Sequence, residues 1–136
     1  MKQVYNLSGD SLPVILAQHD LIIDNIFCDN DYLTMIFEKD ISYHDSIKNL
    51  NNSKSLIIKI HLIGDYAVYK QKINKIFSKK VSYIQTNIDK IKSKGDIKLE
   101  YLYHTVGYQK INIELFKQGY ILLILEADYI EFEWIE

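Results

Sequence analysis

The sequence predicts an α+β fold: a predominantly antiparallel β-sheet, strongly curled in one reading, with one helix packed on it. Three observations carry this. Isoleucine and tyrosine dominate the apolar residues, while alanine stands only at Ala17, Ala67 and Ala127; β-branched and aromatic side chains suit a pleated, half-buried surface better than a helix bundle. Apolar and polar residues alternate with a period of two through much of the chain, and short Gly, Asn and Asp clusters separate the alternating runs. From Val68 to Lys94, by contrast, apolar residues recur at spacings of three and four. The 136 residues are 48% hydrophobic and 25% charged, with one proline and five glycines, which fits one domain over 1–136 with one core and little room for linkers.

Taken in order, the stretch AQHDLIIDNIFCDNDYLTMIFE, 17–38, reads as a hairpin. Strands from Leu21 to Cys28 and from Leu33 to Glu38 flank Asp29-Asn30-Asp31, residue types that tolerate left-handed backbone angles and bond their own main chain. The run DISYHDSIKNLNNSKS, Asp40 to Ser55, is polar and reads as a loop. A connection of that length in a compact domain is uncommon and often functional, which makes it a candidate binding surface. Leu56, Ile58, Ile60 and Leu62 then oppose Ile57, Lys59, His61 and Ile63, apolar on nearly both faces as in a central strand, with Gly64-Asp65 as its turn and Tyr66 to Lys72 as its hairpin partner.

Ile73, Phe77, Val81, Ile84, Ile88 and Ile91 lie on one helical stripe, and a single helix of about 20 residues would satisfy them. The β-branched density from Ile73 to Val81 also permits a strand. We therefore expect a shorter helix from Ser82 to Ser93, capped by Ser82 and ended at Lys94-Gly95. Four meander strands come next, Ile97 to Val106, Lys110 to Phe116, Tyr120 to Glu126 and Tyr129 to Ile135, punctuated by Gly107, Gly119 and Ala127-Asp128. In the last, Ile130, Phe132 and Trp134 share a dry face, and Glu131 and Glu133 a wet one.

Composition narrows the function. All sixteen basic residues are lysines, so the guanidinium fork that grips phosphate or guanine is missing, and at net charge −2 nucleic-acid binding is not expected. Cys28 is the one cysteine, which rules out an intramolecular disulfide and a thiolate zinc centre. The N-terminal apolar stretch of about six residues is too short for a signal peptide or a membrane span, so the expected location is the cytoplasm and no membrane partner is expected. With no Gly-x-Ser-x-Gly elbow and no glycine-rich phosphate cradle, enzymatic activity is not favoured and no cofactor is expected.

Two His-Asp pairs, His19-Asp20 and His44-Asp45, invite comparison with metal-dependent phosphohydrolases. Those enzymes carry the pair in a helical bundle, and here both pairs border β-like or irregular segments. Nor does the spacing of His19, Asp20, Asp24, His44, Asp45 and His61 support a His/carboxylate metal site. His19 and Asp20 are expected to satisfy backbone groups where a strand begins, and His61 to be a hydrogen-bonded core residue. His104 follows Tyr101 and Tyr103 on an aromatic strand expected to pack.

Charge is unevenly placed. Nine lysines and two aspartates lie between Lys70 and Lys98, whereas from Gln118 onward there are five acidic residues and no lysine. The lysines are read as a solvated face or a guard against wrong edge pairing. An acidic, aromatic patch around Tyr129, Glu131 and Glu133 would suit a basic partner, with His44 and Asp45 in the neighbouring loop as further candidate contacts. The order of segments, with the pieces QHDLII and DYIEFEWIE, resembles small bacterial α+β proteins of the immunity type, and that resemblance implies binding to a toxin domain. The leading expectation is a non-enzymatic protein-binding module. A small-molecule or metal-dependent activity in the concave side of the curled sheet, with His19, His44 and His61, is the alternative, and a homo-oligomer pairing through the final strand is a third reading.

Overall fold

The structure is a computed structural model describing residues 1–15, 19–39, 55–73 and 81–135. Among these residues eight strands form one sheet, all pairings antiparallel: β1 (Lys2–Asn6), β2 (Leu21–Asp29), β3 (Tyr32–Phe37), β4 (Ser55–Ile73), β5 (Val81–Thr86), β6 (Leu99–Gly107), β7 (Lys110–Phe116) and β8 (Tyr120–Ile135). The helix is reduced to α1 (Ile88–Ile91), a single turn. The fold is thus mostly antiparallel β, and the expected packed helix from Ser82 to Ser93 is not there. Its first half is β5, which pairs with β4 from Val81↔Ile73 to Thr86↔Val68; Asn87 rather than Ser82 caps the turn, accepting a hydrogen bond from the Lys90 backbone N–H at 3.0 Å. A strand offered a full ladder of partners outweighs a helical apolar period, because β-branched residues such as Ile84 gain little from a helix.

Strand order closes on itself. β8 pairs with β7, β7 with β6, β6 with β2, β2 with β3, β3 with β4, and β4 again with β8, so the sheet curls until its two longest strands meet. Both long strands bend midway. In β4 the register slips between His61 and Tyr66, and in β8 opposite it Ala127 pairs with Leu62 and Tyr129 with His61, leaving Asp128 without a partner position. Gly64-Asp65 and Ala127-Asp128, expected as hairpin turns, are therefore bulges in continuous strands. Beyond the bends the ribbon of β4 and β8 serves two layers: β2, β3, the first half of β4, the second half of β8 and β1 form one, while β6, β7, the first half of β8, the second half of β4 and β5 form the other.

Three turns are as expected. Between β2 and β3, Asn30 and Asp31 take φ of 49° and 67°, the pair of left-handed residues a two-residue hairpin needs. Gln109 (φ 51°) turns β6 into β7, and Gln118 with Gly119 turns β7 into β8. β1, which the sequence pattern does not single out, is held along β8 from Lys2↔Glu133 to Asn6↔Tyr129. Its inward Tyr5 packs edge-on to Phe132, and Gln3 accepts a hydrogen bond from the Trp134 indole at 3.2 Å.

The core lies inside the curl. Leu21, Ile23, Leu33, Met35, Ile58, Ile60, Ile113, Leu123 and Ile130 are all buried, each from the inward parity of its strand. As expected, Ile130, Phe132 and Trp134 are buried and alternate with Glu131 and Glu133. The space left between Ile15, Met35, Tyr101, His104 and Phe132 is about 10 Å³, room for no ligand.

Candidate functional site

The chemistry-bearing side chains gather on the outer face of the first layer, where register sets out cross-strand rows. One runs Asn6, Tyr129, His61, Tyr32, Asp29; the next runs Val4, Glu131, Lys59, Thr34, Phe27; a third runs Lys2, Glu133, Ile57, Ile36, Asn25. Side chains directly opposite on neighbouring strands stand close enough to interact.

The first row carries the aromatic groups. His61 stacks on Tyr129 with ring centroids 4.9 Å apart and planes 15° from parallel, and lies 5.0 Å from the Tyr32 ring. The hydroxyls of Tyr32 and Tyr129 hydrogen-bond to each other. That bond favours the protonated phenol and pushes Tyr129 up to about 12, with the loss of hydration, Glu131 and Asp128 adding to the effect. The His61 Nδ1–H donates to the Asp128 carboxylate at 2.6 Å, which fixes the orientation of the ring. The β8 bulge makes this contact: a residue with no position opposite it in the ladder is re-aimed, and here it reaches the neighbouring strand's histidine. His61 is hydrogen-bonded as expected, but half-buried on the outer face rather than in the core.

Glu131 and Glu133, with Tyr129, share this face as the alternation required. Their electrostatic setting differs from a simple acidic patch: Lys59 stands opposite Glu131, and Lys2 opposite Glu133. His44 and Asp45, and the Asp40 to Ser55 loop apart from Ser55 itself, lie outside the described residues.

Two open concavities meet at Tyr32. One, of about 820 Å³, is bordered by Cys28, Asp31, Leu62, Tyr66 and Gln85; the other, of about 500 Å³, by Phe27, Thr34, Lys59 and Glu131. In the first, packing around the Cys28 thiol raises its pKa, partly offset by a hydrogen bond from the Tyr66 hydroxyl, so the thiol stays protonated and a weak nucleophile at neutral pH. Tyr66 is pushed up to about 12 by that same bond.

The other histidines are engaged elsewhere. His19 Nδ1 donates to the Leu102 carbonyl at 2.9 Å, with Nε2 3.3 Å from the Asp20 carboxylate, while the Asp20 N–H donates to the Tyr101 carbonyl. The His19 ring thus satisfies a backbone carbonyl where the strand begins, as expected, and the pair ties the start of β2 to β6. His104 is the buried histidine, lodged between the Tyr101 hydroxyl at 2.6 Å and the Ile15 carbonyl at 2.7 Å. Among the described residues no three His, Cys, Asp or Glu side chains stand where they could hold a metal ion together, and no helix is long and apolar enough to cross a membrane.

Sequence reasoning misses Tyr32 and Asp128. In the linear pattern Tyr32 is only the residue after a turn, and Asp128 belongs to an expected turn; the signal that would find both is cross-strand register, which a single strand's pattern does not contain. Compared with protein-family models, curated proteins and solved structures, the chain matches none of them.

Proposed function

We propose that this protein is a non-enzymatic protein-binding module whose contact face is the outer surface of the layer β2, β3, β4, β8 and β1. The observation that carries the reading is the row Tyr129, His61 and Tyr32, aromatic groups half-exposed at mid-sheet and locked by hydrogen bonds to one another and to Asp128. Rigid amphipathic rings offer contact area at little entropic cost, which is why tyrosine is enriched at interface centres. Around them Glu131, Glu133, Lys59 and Lys2 make a mixed-charge surround, which favours a partner of matching charge pattern over a uniformly basic one. The sequence pieces QHDLII and DYIEFEWIE, on which the resemblance to immunity-type proteins also rests, imply a single tightly held protein in the cytoplasm.

A second reading has its own observation. The His61–Asp128 pair, in which a carboxylate on Nδ1 orients the imidazole, is the arrangement of an oriented general base, and Tyr32 beside it borders both concavities.

One experiment separates the two readings. Tagged protein is used to capture partners from lysate of its own organism, alongside Tyr129→Ala and the pair Glu131→Lys, Glu133→Lys. A stoichiometric partner held by the parent chain and lost by Tyr129→Ala is the expected result. The same partner retained by all variants, or none captured at any salt concentration, sinks the binding-face reading and turns attention to small-molecule turnover.

A further inference from the structure

The second layer has an outer face too, and its chemistry is different. Tyr103, Phe116, Tyr120, Leu122, Ile124 and Tyr83 lie on the outward parity of β6, β7, β8 and β5. Four of them are contiguous: Phe116 packs edge-on to Tyr120 at 5.6 Å, the Tyr120 N–H donates to Gln71 in the strand beside Tyr83, and Tyr83, Tyr120 and Leu122 line one shallow groove of about 240 Å³ with Glu114, which stands between Leu122 and Tyr103 in the cross-strand register. Glu114 is the charge at the centre of this surface, with Glu100, Lys110 and Glu126 at its margins. The first layer's face, by contrast, carries Lys2, Asp29, Lys59, Glu131 and Glu133 in its three rows.

We propose that this face binds a second copy of the chain, sheet against sheet, in a two-fold dimer. Area, composition and shape argue for that occupant. Tyr83, Tyr103 and Tyr120 are 51%, 55% and 48% exposed and Phe116 is 37% exposed. At about 200 Å² per ring the four present roughly 400 Å² of apolar surface. A stable interface covers about 800 Å² on each partner, of which about three fifths is apolar, so these rings with Ile124 and Leu122 nearly supply the apolar share from one face. Composition favours self-association over a transient partner, because homodimer interfaces are the more apolar class, with Glu114 the one central charge that the contact must desolvate. Shape favours a copy: two sheets pack face to face about 10 Å apart when their twists match, and a second identical sheet matches by construction. The dimer would leave the Tyr32, His61 and Tyr129 face, on the other layer, free for a partner.

The test is the mass of the full chain in solution, by sedimentation and by light scattering, from about 1 μM to about 500 μM. The expected result is a rise from 16.0 kDa to twice that value. Ile124→Lys and Tyr120→Lys, at exposed positions and with circular dichroism unchanged, should raise the dissociation constant at least about tenfold by bringing like charges into an apolar contact. Glu114→Gln should tighten the dimer severalfold, since it removes a carboxylate that would otherwise be desolvated. Val4→Lys, on the opposite layer, should change nothing. A mass of 16.0 kDa at every concentration overturns the proposal and leaves the face to a different partner. So does a dimer that Val4→Lys breaks and both lysine substitutions on the second layer leave intact.

Discussion

At the scale of single residues, the buried chain of Tyr101, His104 and the Ile15 carbonyl is the arrangement whose energetics are most sharply defined. Tyr101 donates to His104 Nδ1, and the Nε2–H donates to Ile15, tying the segment before β2 to the inside of β6. Replacing Tyr101 by Phe keeps the ring but leaves the buried Nδ1 without a donor, and should cost about 1–3 kcal/mol in urea unfolding. Burial holds His104 below its ordinary value of 6.5, only partly countered by the bond to Ile15. The unfolded chain therefore binds a proton that the folded chain refuses. The associated stability is complete above about pH 6.5 and lost as pH falls through that value toward the depressed one. The unfolding midpoint of the parent protein should thus drop between about pH 7 and about pH 5 more steeply than that of His104→Gln; equal slopes would mean His104 titrates normally. Linear pattern misplaces His61, while the packing expected of the strand that carries His104 agrees with its burial. His61 sits among Ile60, Leu62 and Ile63 yet faces outward, and His104 faces inward because the register between β6 and β7 shifts at Leu102 and reverses the parity of the residues beyond it.

At the scale of elements, the same local chemistry serves two structures. Gly64-Asp65 and Ala127-Asp128 read as turns because small and Asx residues accept unusual backbone geometry, but bulges ask for the same property. The difference between the two is whether the next strand finds its partner on the preceding one, and that is a long-range fact. Where the turn is local, as at Asn30-Asp31, the sequence is sufficient. Asp31 carries a steric penalty at φ 67° that glycine does not, so Asp31→Gly should hold or raise stability by up to about 1 kcal/mol, whereas Asp31→Val should lower it, both read from urea midpoints. The single turn α1 depends on its ends. Asn87 caps one, and the Lys117 ammonium donates to the Lys90 and Lys92 carbonyls at the other. Asn87→Ala should cost about 1 kcal/mol, a loss that an expected cap at Ser82 would not predict. The helical period that suggests a longer helix has a different origin: Ile88 and Ile91 are buried beneath the sheet's end, while Ile84 belongs to a strand. β1 escapes notice because only Val4 and Tyr5 in it are apolar, and its ladder on β8 exists only once the chain's two ends meet.

At the scale of the whole molecule, the dry interior of the sheet is legible from alternation alone, and closure is not, because closure is the meeting of β4 and β8 across an interval of sequence that no local pattern measures. That meeting has a thermodynamic consequence. Each of the two long strands contributes one half to each layer, so neither layer can melt without removing a strand from the other. Trp134 reports on the first layer, where its indole is bonded to Gln3 and its ring packs 6.1 Å from Phe132, while far-ultraviolet circular dichroism reports on strands in both. Urea unfolding followed by Trp134 fluorescence and by circular dichroism should give one coincident midpoint, the behaviour of a single cooperative unit. Leu7, fully buried where the chain leaves β1 and bonded to Asp128 and Gln109 through its backbone, tests the same coupling from outside the ribbon. Leu7→Ala should lower both midpoints together, by about 2–5 kcal/mol of stability. Two separated transitions, or a Leu7→Ala loss seen by fluorescence alone, would mean the layers unfold independently and that the β4 and β8 ribbon joins them without coupling them.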